Sequence, residues 1–137
     1  MEPPVTLYRP VGYNELKLIA ETQYTAFPPR LPDQPIFYPV MNFEYAEQIA
    51  RDWNTKSNSF AGFVTQFEID GEYAKRFPVQ VVGGRQHEEL WVPAEELEEF
   101  NRHIFGPIKI VASYYGERFA EKIDPLTNLP SGLWPCP

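Results

Sequence analysis

Cysteine is nearly absent from this chain, and long apolar runs are missing altogether. The single Cys136 has no second cysteine to pair with, so the fold cannot depend on an internal disulfide. No apolar run approaches the roughly 20 residues that a membrane-spanning helix needs. The first thirty residues also lack the basic-then-apolar pattern of a secretory signal. We therefore expect a protein without a membrane span that lies in the cytoplasm.

Basic residues are few as well. The chain has 12 Lys and Arg against 19 Asp and Glu, for a net charge of −7, which disfavours non-specific attraction to nucleic acid. Any anionic ligand must therefore be bound by particular arginines. The only two histidines, His87 and His103, match no standard spacing of metal ligands, so no metal is expected.

Aromatic residues and proline, in contrast, are abundant. With 10 Phe, 8 Tyr and 3 Trp in 137 residues, the chain can fill one hydrophobic core, and we expect a single domain over residues 1–137. Prolines concentrate in FPPRLPDQP, residues 27–35, and in the segment from about residue 124 onward. Because proline cannot donate a backbone hydrogen bond, the first stretch predicts a crossing loop and the second a surface tail.

Apolar periodicity divides the rest of the chain into strands and helices. The predicted strands are Val5–Arg9, Ile36–Val40, Gly62–Ile69, Phe77–Val82, Glu89–Pro93 and Ile108–Tyr115. Three predicted helices begin near Asn14, Asn42 and Pro93, of which the first two are N-cap candidates. About six strands and three helices in this order predict an α+β fold with a split, mostly antiparallel sheet.

Two adjacent carboxylates stand in GGRQHEELWVP, residues 83–93, between a Gly-Gly loop and an apolar strand. Paired glutamates are common on surfaces, where they serve solubility. Reactive groups, however, are often presented where a loop joins a rigid element. Side chains alternate along a strand, so only one of Glu88 and Glu89 can face a given side, and the other is expected to be a solvated charge.

Three stretches in this order resemble the ADP-ribosyltransferase superfamily. LYRP, residues 7–10, is similar to its first strand, which bears an Arg or His. IFYPVMNFEYAEQIA, residues 36–50, is similar to its aromatic strand and following helix, and GGRQHEELWVP to the strand with the catalytic Glu. The resemblance spans most of Leu7 to Val111 and implies an ADP-ribosyltransferase-like split sheet and an enzyme that acts on NAD.

The resemblance also implies roles for particular residues. Glu89 takes the position of the catalytic carboxylate, and Arg9 that of an anchor for the NAD pyrophosphate. Either Tyr38 or Tyr45 would stack on nicotinamide as part of the NAD site, while Gln86 and His87 would belong to the substrate loop. NAD is the implied co-substrate. We expect Arg9 and Glu89 to open on one cleft, lined by at least one of the two tyrosines.

The chain departs from the family at two points. Thr65 is the nearest counterpart of a Ser-Thr-Ser motif, and His87 replaces the acidic or Gln partner that precedes the catalytic Glu. Arg9 also fits the end of an edge strand, and the tyrosines also fit core or rim positions.

Two function classes therefore stay open. The first is an enzyme that transfers ADP-ribose from NAD to a protein, nucleic acid or small molecule, or hydrolyses NAD. The second is a non-catalytic protein that uses its Pro-rich loop and acidic surface to bind a protein partner or inhibitor.

Overall fold

A computed structural model describes residues 2–57, 59–82 and 87–133 of the chain. Within these residues the protein is α+β and its strand pairs are antiparallel, which confirms the predicted fold class. The strands are β1 Val5–Gly12, β2 Ile36–Phe37, β3 Ala61–Ile69, β4 Val79–Val81, β5 Glu88–Leu90, β6 Val92–Pro93, β7 Ile104–Tyr115, β8 Ile123–Asp124 and β9 Leu129–Pro130. The α-helices are α1 Tyr13–Glu21, α2 Phe43–Asp52, α3 Gly71–Ala74 and α4 Leu97–Arg102.

The main sheet is built around β3, which pairs with β1 on one side and with β7 on the other. Beyond β1 the sheet continues through Val40, which forms antiparallel bridges to both Tyr8 and Glu89. Because β4 pairs with β5, the strand order runs β4, β5, the segment around Val40, β1, β3 and β7. Segment 36–41 therefore lies between β1 and β5.

The two faces of this sheet bury different residues. On one face, which we call the core face, Leu7 and Phe67 belong to the large hydrophobic cluster with α1. On the other, the helix α2 face, Val40 and Val64 pack against Ala46 of α2. Side chains alternate along each strand, so neighbouring residues of β1 reach opposite faces.

Helix α2 begins where the sequence predicted. The Asn42 side chain accepts a hydrogen bond from the Tyr45 backbone N–H at 2.8 Å, which confirms the predicted N-cap. Its charges also suit the helix dipole, with Glu44 in the first turn and Arg51 in the last. Ala50 on the buried side lets the helix backbone approach β3 closely.

The last long strand and one short helix differ from the sequence predictions. Strand β7 begins at Ile104 instead of Ile108, because Gly106, with φ of 71°, adopts a left-handed conformation that lets the strand pass Pro107. Its register against β3 shifts between Gln66 and Glu68, as in a β-bulge. Helix α3 is not among the three predicted helices; it begins after Asp70, whose side chain accepts a hydrogen bond from the Glu72 N–H at 3.1 Å.

The tail from about residue 124 is more ordered than its proline content predicted. Strands β8 and β9 form a hairpin, and Leu129 and Leu133 pack against the large core. Trp134 and Cys136 lie outside the described residues. None of the helices in the described part of the chain combines the length and hydropathy that crossing a bilayer requires.

Gly62 should be the least replaceable glycine in the sheet. A Cβ on Gly62 would lie 2.1 Å from the backbone oxygen of Ala50, so α2 would have to move. We expect Gly62→Ala to lower the free energy of unfolding by about 1–3 kcal/mol, the usual cost of overpacking. Urea denaturation measures it.

Gly12→Ala is the matched control, because Gly12 lies opposite Gly62 in the sheet and its Cβ would meet nothing closer than 3.7 Å. Equal stability of the two variants would contradict the close packing of α2 against β3.

Candidate functional site

Glu89 is held in place by backbone hydrogen bonds on both sides of its own position. The Leu90 N–H donates to the Pro39 carbonyl at 2.8 Å, and the Met41 N–H donates to the Glu88 carbonyl at 3.0 Å. Glu89 thus lies directly opposite Val40, within a sheet and not on a loose loop. A side chain at this position starts from a rigid backbone.

Both carboxylate oxygens of Glu89 accept a hydrogen bond from an aromatic side chain. The Tyr45 hydroxyl donates to Oε2 at 2.5 Å, and the Trp91 indole Nε1–H donates to Oε1 at 3.1 Å. Glu89 is half-buried. These two donors fix the orientation of both carboxylate oxygens.

The Tyr45 hydroxyl keeps its proton over a wide pH range. Burial, then the hydrogen bond to Glu89, then the negative charge of Glu89 raise the pKa of Tyr45 well above the ordinary value of 10.0. Tyr45 is therefore a donor to Glu89 at any neutral pH.

Aromatic rings surround the carboxylate. The Tyr45 ring stacks on the His87 ring with centroids 4.4 Å apart, and Tyr38 meets Trp91 edge to face at 5.7 Å. Tyr38 is the most open of these, with 36% of its surface exposed. The structure thus brings together Glu89, Tyr45, Tyr38 and His87, four of the predicted site residues, while Gln86 lies outside the described residues.

Arg9 does not belong to this cluster, so the prediction that Arg9 and Glu89 open on one cleft is wrong. Residues directly opposed in antiparallel strands project from the same face, so Tyr8, Val40 and Glu89 share the helix α2 face. Arg9, next to Tyr8, projects from the core face, where its guanidinium lies 4.7 Å from the centre of the Phe37 ring.

Arg9 already has an ionic partner on the core face. Its Nε donates to Glu15 Oε2 at 2.7 Å and its Nη2 to Glu15 Oε1 at 3.0 Å, which is a two-point pair. Arg9 is buried, with 8% of its surface exposed. The interpretation of Arg9 as an NAD-phosphate anchor beside Glu89 is therefore corrected to that of a buried, paired cation.

Three further residues differ from what the sequence predicted. Glu88 is half-buried instead of fully solvated, and strand alternation turns it away from Glu89. Trp91 was missed, although its position two residues after Glu89 on a strand places both on one face. Glu15 was also missed, because no pattern links it to Arg9 before the turn from β1 into α1 is known.

Side chains that could bind a metal do not cluster in the part of the chain that the structure describes. Residues 2–57, 59–82 and 87–133 hold no group of three or more His, Cys, Asp or Glu side chains placed to bind a metal ion.

Comparison of the chain with protein-family models, curated proteins and solved structures found no match. The geometry of the chain itself is therefore the basis for assigning a function.

Replacing Tyr45 should change how stability depends on alkaline pH. Folding raises the pKa of Tyr45. Above the ordinary tyrosine pKa, the unfolded state therefore loses a proton that the folded state keeps, and the stability of the fold decreases as the pH rises. When the pH rises from about 9 to about 11, the free energy of unfolding of Tyr45→Phe should fall by about 1 kcal/mol less than that of the wild type. Urea denaturation at both pH values measures this difference.

The control is Trp91→Phe, which removes the other hydrogen bond to Glu89 but no group that loses a proton in this range, so it should keep the wild-type pH dependence. Folding also raises the pKa of Tyr73 and of Tyr114 to about 12, but these groups remain in every variant and cancel. Parallel pH curves for wild type and Tyr45→Phe would contradict a buried Tyr45–Glu89 hydrogen bond.

Removing Arg9 should cost stability. Arg9→Gln leaves Glu15 beside the core without its cation, and breaking such a pair typically costs on the order of 3 kcal/mol. Chemical denaturation gives the free energy of unfolding. Arg9→Gln combined with Glu15→Gln removes both charges and should recover part of the loss; a double variant no more stable than Arg9→Gln would contradict the pairing.

Proposed function

We propose that the protein cleaves the bond between nicotinamide and ribose in NAD, as an ADP-ribosyltransferase or an NAD glycohydrolase. In this proposal the domain has an ADP-ribosyltransferase-like fold, and Glu89 is its catalytic carboxylate. The observation that carries the proposal is the Glu89 carboxylate itself, half-buried at the start of a paired strand and fixed by Tyr45 and Trp91.

The chemistry of the cleavage calls for such a carboxylate. As nicotinamide leaves, positive charge develops on the ribose, much as it does in glycoside cleavage. A carboxylate fixed in its ionised form before the reaction stabilises this charge without reorganising. The two aromatic donors hold the Glu89 oxygens in place, and Glu89 then contacts the ribose directly in the transition state.

The neighbouring aromatic rings suit the other end of the scissile bond. The nicotinamide of NAD is a flat ring that carries a positive charge, and both properties favour contact with aromatic side chains. Tyr38 presents an open ring beside Trp91, and Trp91 contacts Glu89, so a ring bound at Tyr38 would leave its ribose near the carboxylate. His87, stacked on Tyr45, borders the same region.

NAD is the proposed co-substrate, and the reaction as written needs no metal. Arg9 is left out of the NAD site, because it projects from the opposite face of the sheet. No described residue is assigned to the pyrophosphate. The acceptor is a protein, a nucleic acid, a small molecule or water, and the chain carries no motif that chooses among them.

A second candidate function is a non-catalytic interaction protein, and the Pro-rich loop favours it. Asn101 fixes the start of this loop, since its side chain both accepts from the Phe27 N–H at 2.9 Å and donates to the Phe27 carbonyl at 3.0 Å. Leu31 near its middle is 62% exposed. A fixed loop with an exposed apolar residue on an acidic chain suits contact with a protein partner or inhibitor.

The release of nicotinamide from NAD tests the first candidate directly. Glu89→Gln keeps the size of the side chain, and its amide can accept from Trp91 and donate to the Tyr45 hydroxyl, but the negative charge is lost. Losing one preorganised electrostatic contact typically lowers a rate by about 10²–10³, so nicotinamide release should fall by at least that factor. Chromatographic detection of nicotinamide measures this rate without knowledge of the acceptor.

Glu88→Gln is the matched control, because it removes the same charge one residue earlier on the strand. Its rate should stay within about threefold of wild type, which corresponds to less than about 1 kcal/mol. Melting temperatures check that both variants fold. Full activity of Glu89→Gln, or no activity of the wild type with any acceptor-containing lysate, would leave the interaction protein as the remaining candidate.

A further inference from the structure

A polar cavity opens on the core face, on the other side of the sheet from Glu89. Its volume is about 390 Å³, which lies within the range of small-molecule sites. The cavity is bounded by the end of β1, the start of α1 and the Pro-rich loop, together with Asn54, Ser57 and Ser59. We call it the Arg30 pocket, after the arginine that the Pro-rich loop contributes.

Two buried polar atoms of the Arg30 pocket lack a hydrogen-bond partner. They are Nε of Arg30, which is a donor, and Oδ1 of Asn54, which is an acceptor. Leaving a buried polar group unpaired costs about 1–3 kcal/mol, and native structures rarely tolerate it without a reason. A ligand that both accepts and donates hydrogen bonds would satisfy the two side chains together after small rotations.

The charge of the pocket is positive, although the chain as a whole is negative. Arg9 at the floor is neutralised by Glu15, whereas Arg30 makes no ion pair with any described residue. Burial first, and then the positive charge of Arg9, lower the pKa of Arg30, while Glu15 partly offsets them. An anion beside Arg30 would be attracted by this field and would stabilise the charged guanidinium.

Aliphatic side chains line part of the same pocket, beside polar residues such as Gln34 and Ser57. Leu18 of α1 is 46% exposed and Leu31 of the Pro-rich loop is 62% exposed, and Pro29 directly precedes Arg30. A ligand seated on Arg30 would therefore pass its remaining atoms over aliphatic side chains. This arrangement favours a molecule with one charged end and an apolar body over inorganic phosphate.

We propose that the Arg30 pocket binds a small organic monoanion that carries an O–H or N–H donor and an apolar body. The anionic end contacts Arg30, the donor reaches Asn54, and the body lies against Leu18 and Leu31. Because Glu15 neutralises Arg9, Arg30 leaves the pocket with one net positive charge. This charge matches a ligand with one negative charge. The lining of this pocket does not include Glu89, and the proposal does not depend on NAD cleavage.

Three related probes separate these features in calorimetric titrations of the full chain. They are 4-hydroxybenzoate, which has the charge, the donor and the ring; benzoate, which lacks the donor; and 4-hydroxybenzyl alcohol, which lacks the charge. We expect 4-hydroxybenzoate to bind about tenfold or more tightly than either of the others, since each lost contact is worth about that factor. Equal affinities, or binding of inorganic phosphate as tight as that of 4-hydroxybenzoate, would overturn the proposal.

Variants locate the binding. Arg30→Gln should weaken the binding of 4-hydroxybenzoate about tenfold or more. Arg76→Gln, which removes an arginine beside Tyr73, should leave this affinity unchanged. Leu31 is exposed, so Leu31→Glu should keep the fold intact, and its added negative charge should weaken binding of 4-hydroxybenzoate. This variant tests the proposal even if Arg30→Gln unfolds. Unchanged affinity in either Arg30→Gln or Leu31→Glu would overturn the proposal, as would displacement of 4-hydroxybenzoate by NAD.

Discussion

The backbone pairing of segment 36–41 between β1 and β5 decides which side chains of this protein can act together. Val40 bridges Tyr8 on one side and Glu89 on the other, and β2 pairs with β6 in the same register. A shift of one residue would move every side chain of the segment to the opposite face. Because this register is fixed at several points, Glu89 faces α2 and Arg9 faces the core.

One sheet consequently carries two polar regions of opposite character. On the helix α2 face, Glu89 accepts hydrogen bonds from Tyr45 and Trp91 among aromatic rings. On the core face, Arg9 and Arg30 line a cavity in which two buried polar atoms are unpaired. The Pro-rich loop connects them along the chain, since it contributes Arg30 to the cavity and then leads into the segment that bears Tyr38. A carboxylate suits a developing cation, and an arginine suits an anion, so the two regions fit different ligands.

Local patterns predicted much of the fold and part of the site. Period-two alternation predicted the strands and the opposite orientation of Glu88 and Glu89, and the N-cap preference predicted the start of α2 at Asn42. Arg9 was misplaced because the face of a strand residue relative to another strand depends on register, which no single strand reveals. The bulge at Gly106 likewise depends on the partner strand. The Arg30 pocket was missed because its lining comes from three segments that are separated in the sequence.

The most direct test is the structure of the protein bound to carba-NAD, an analogue whose nicotinamide cannot be cleaved from its ribose-like ring. If Glu89 is the catalytic carboxylate, the nicotinamide should lie against Tyr38 and Trp91, and the ribose-like ring should lie within hydrogen-bond distance of Glu89, on the helix α2 face. Binding of the analogue in the Arg30 pocket, with Glu89 still bonded only to Tyr45 and Trp91, would contradict the account.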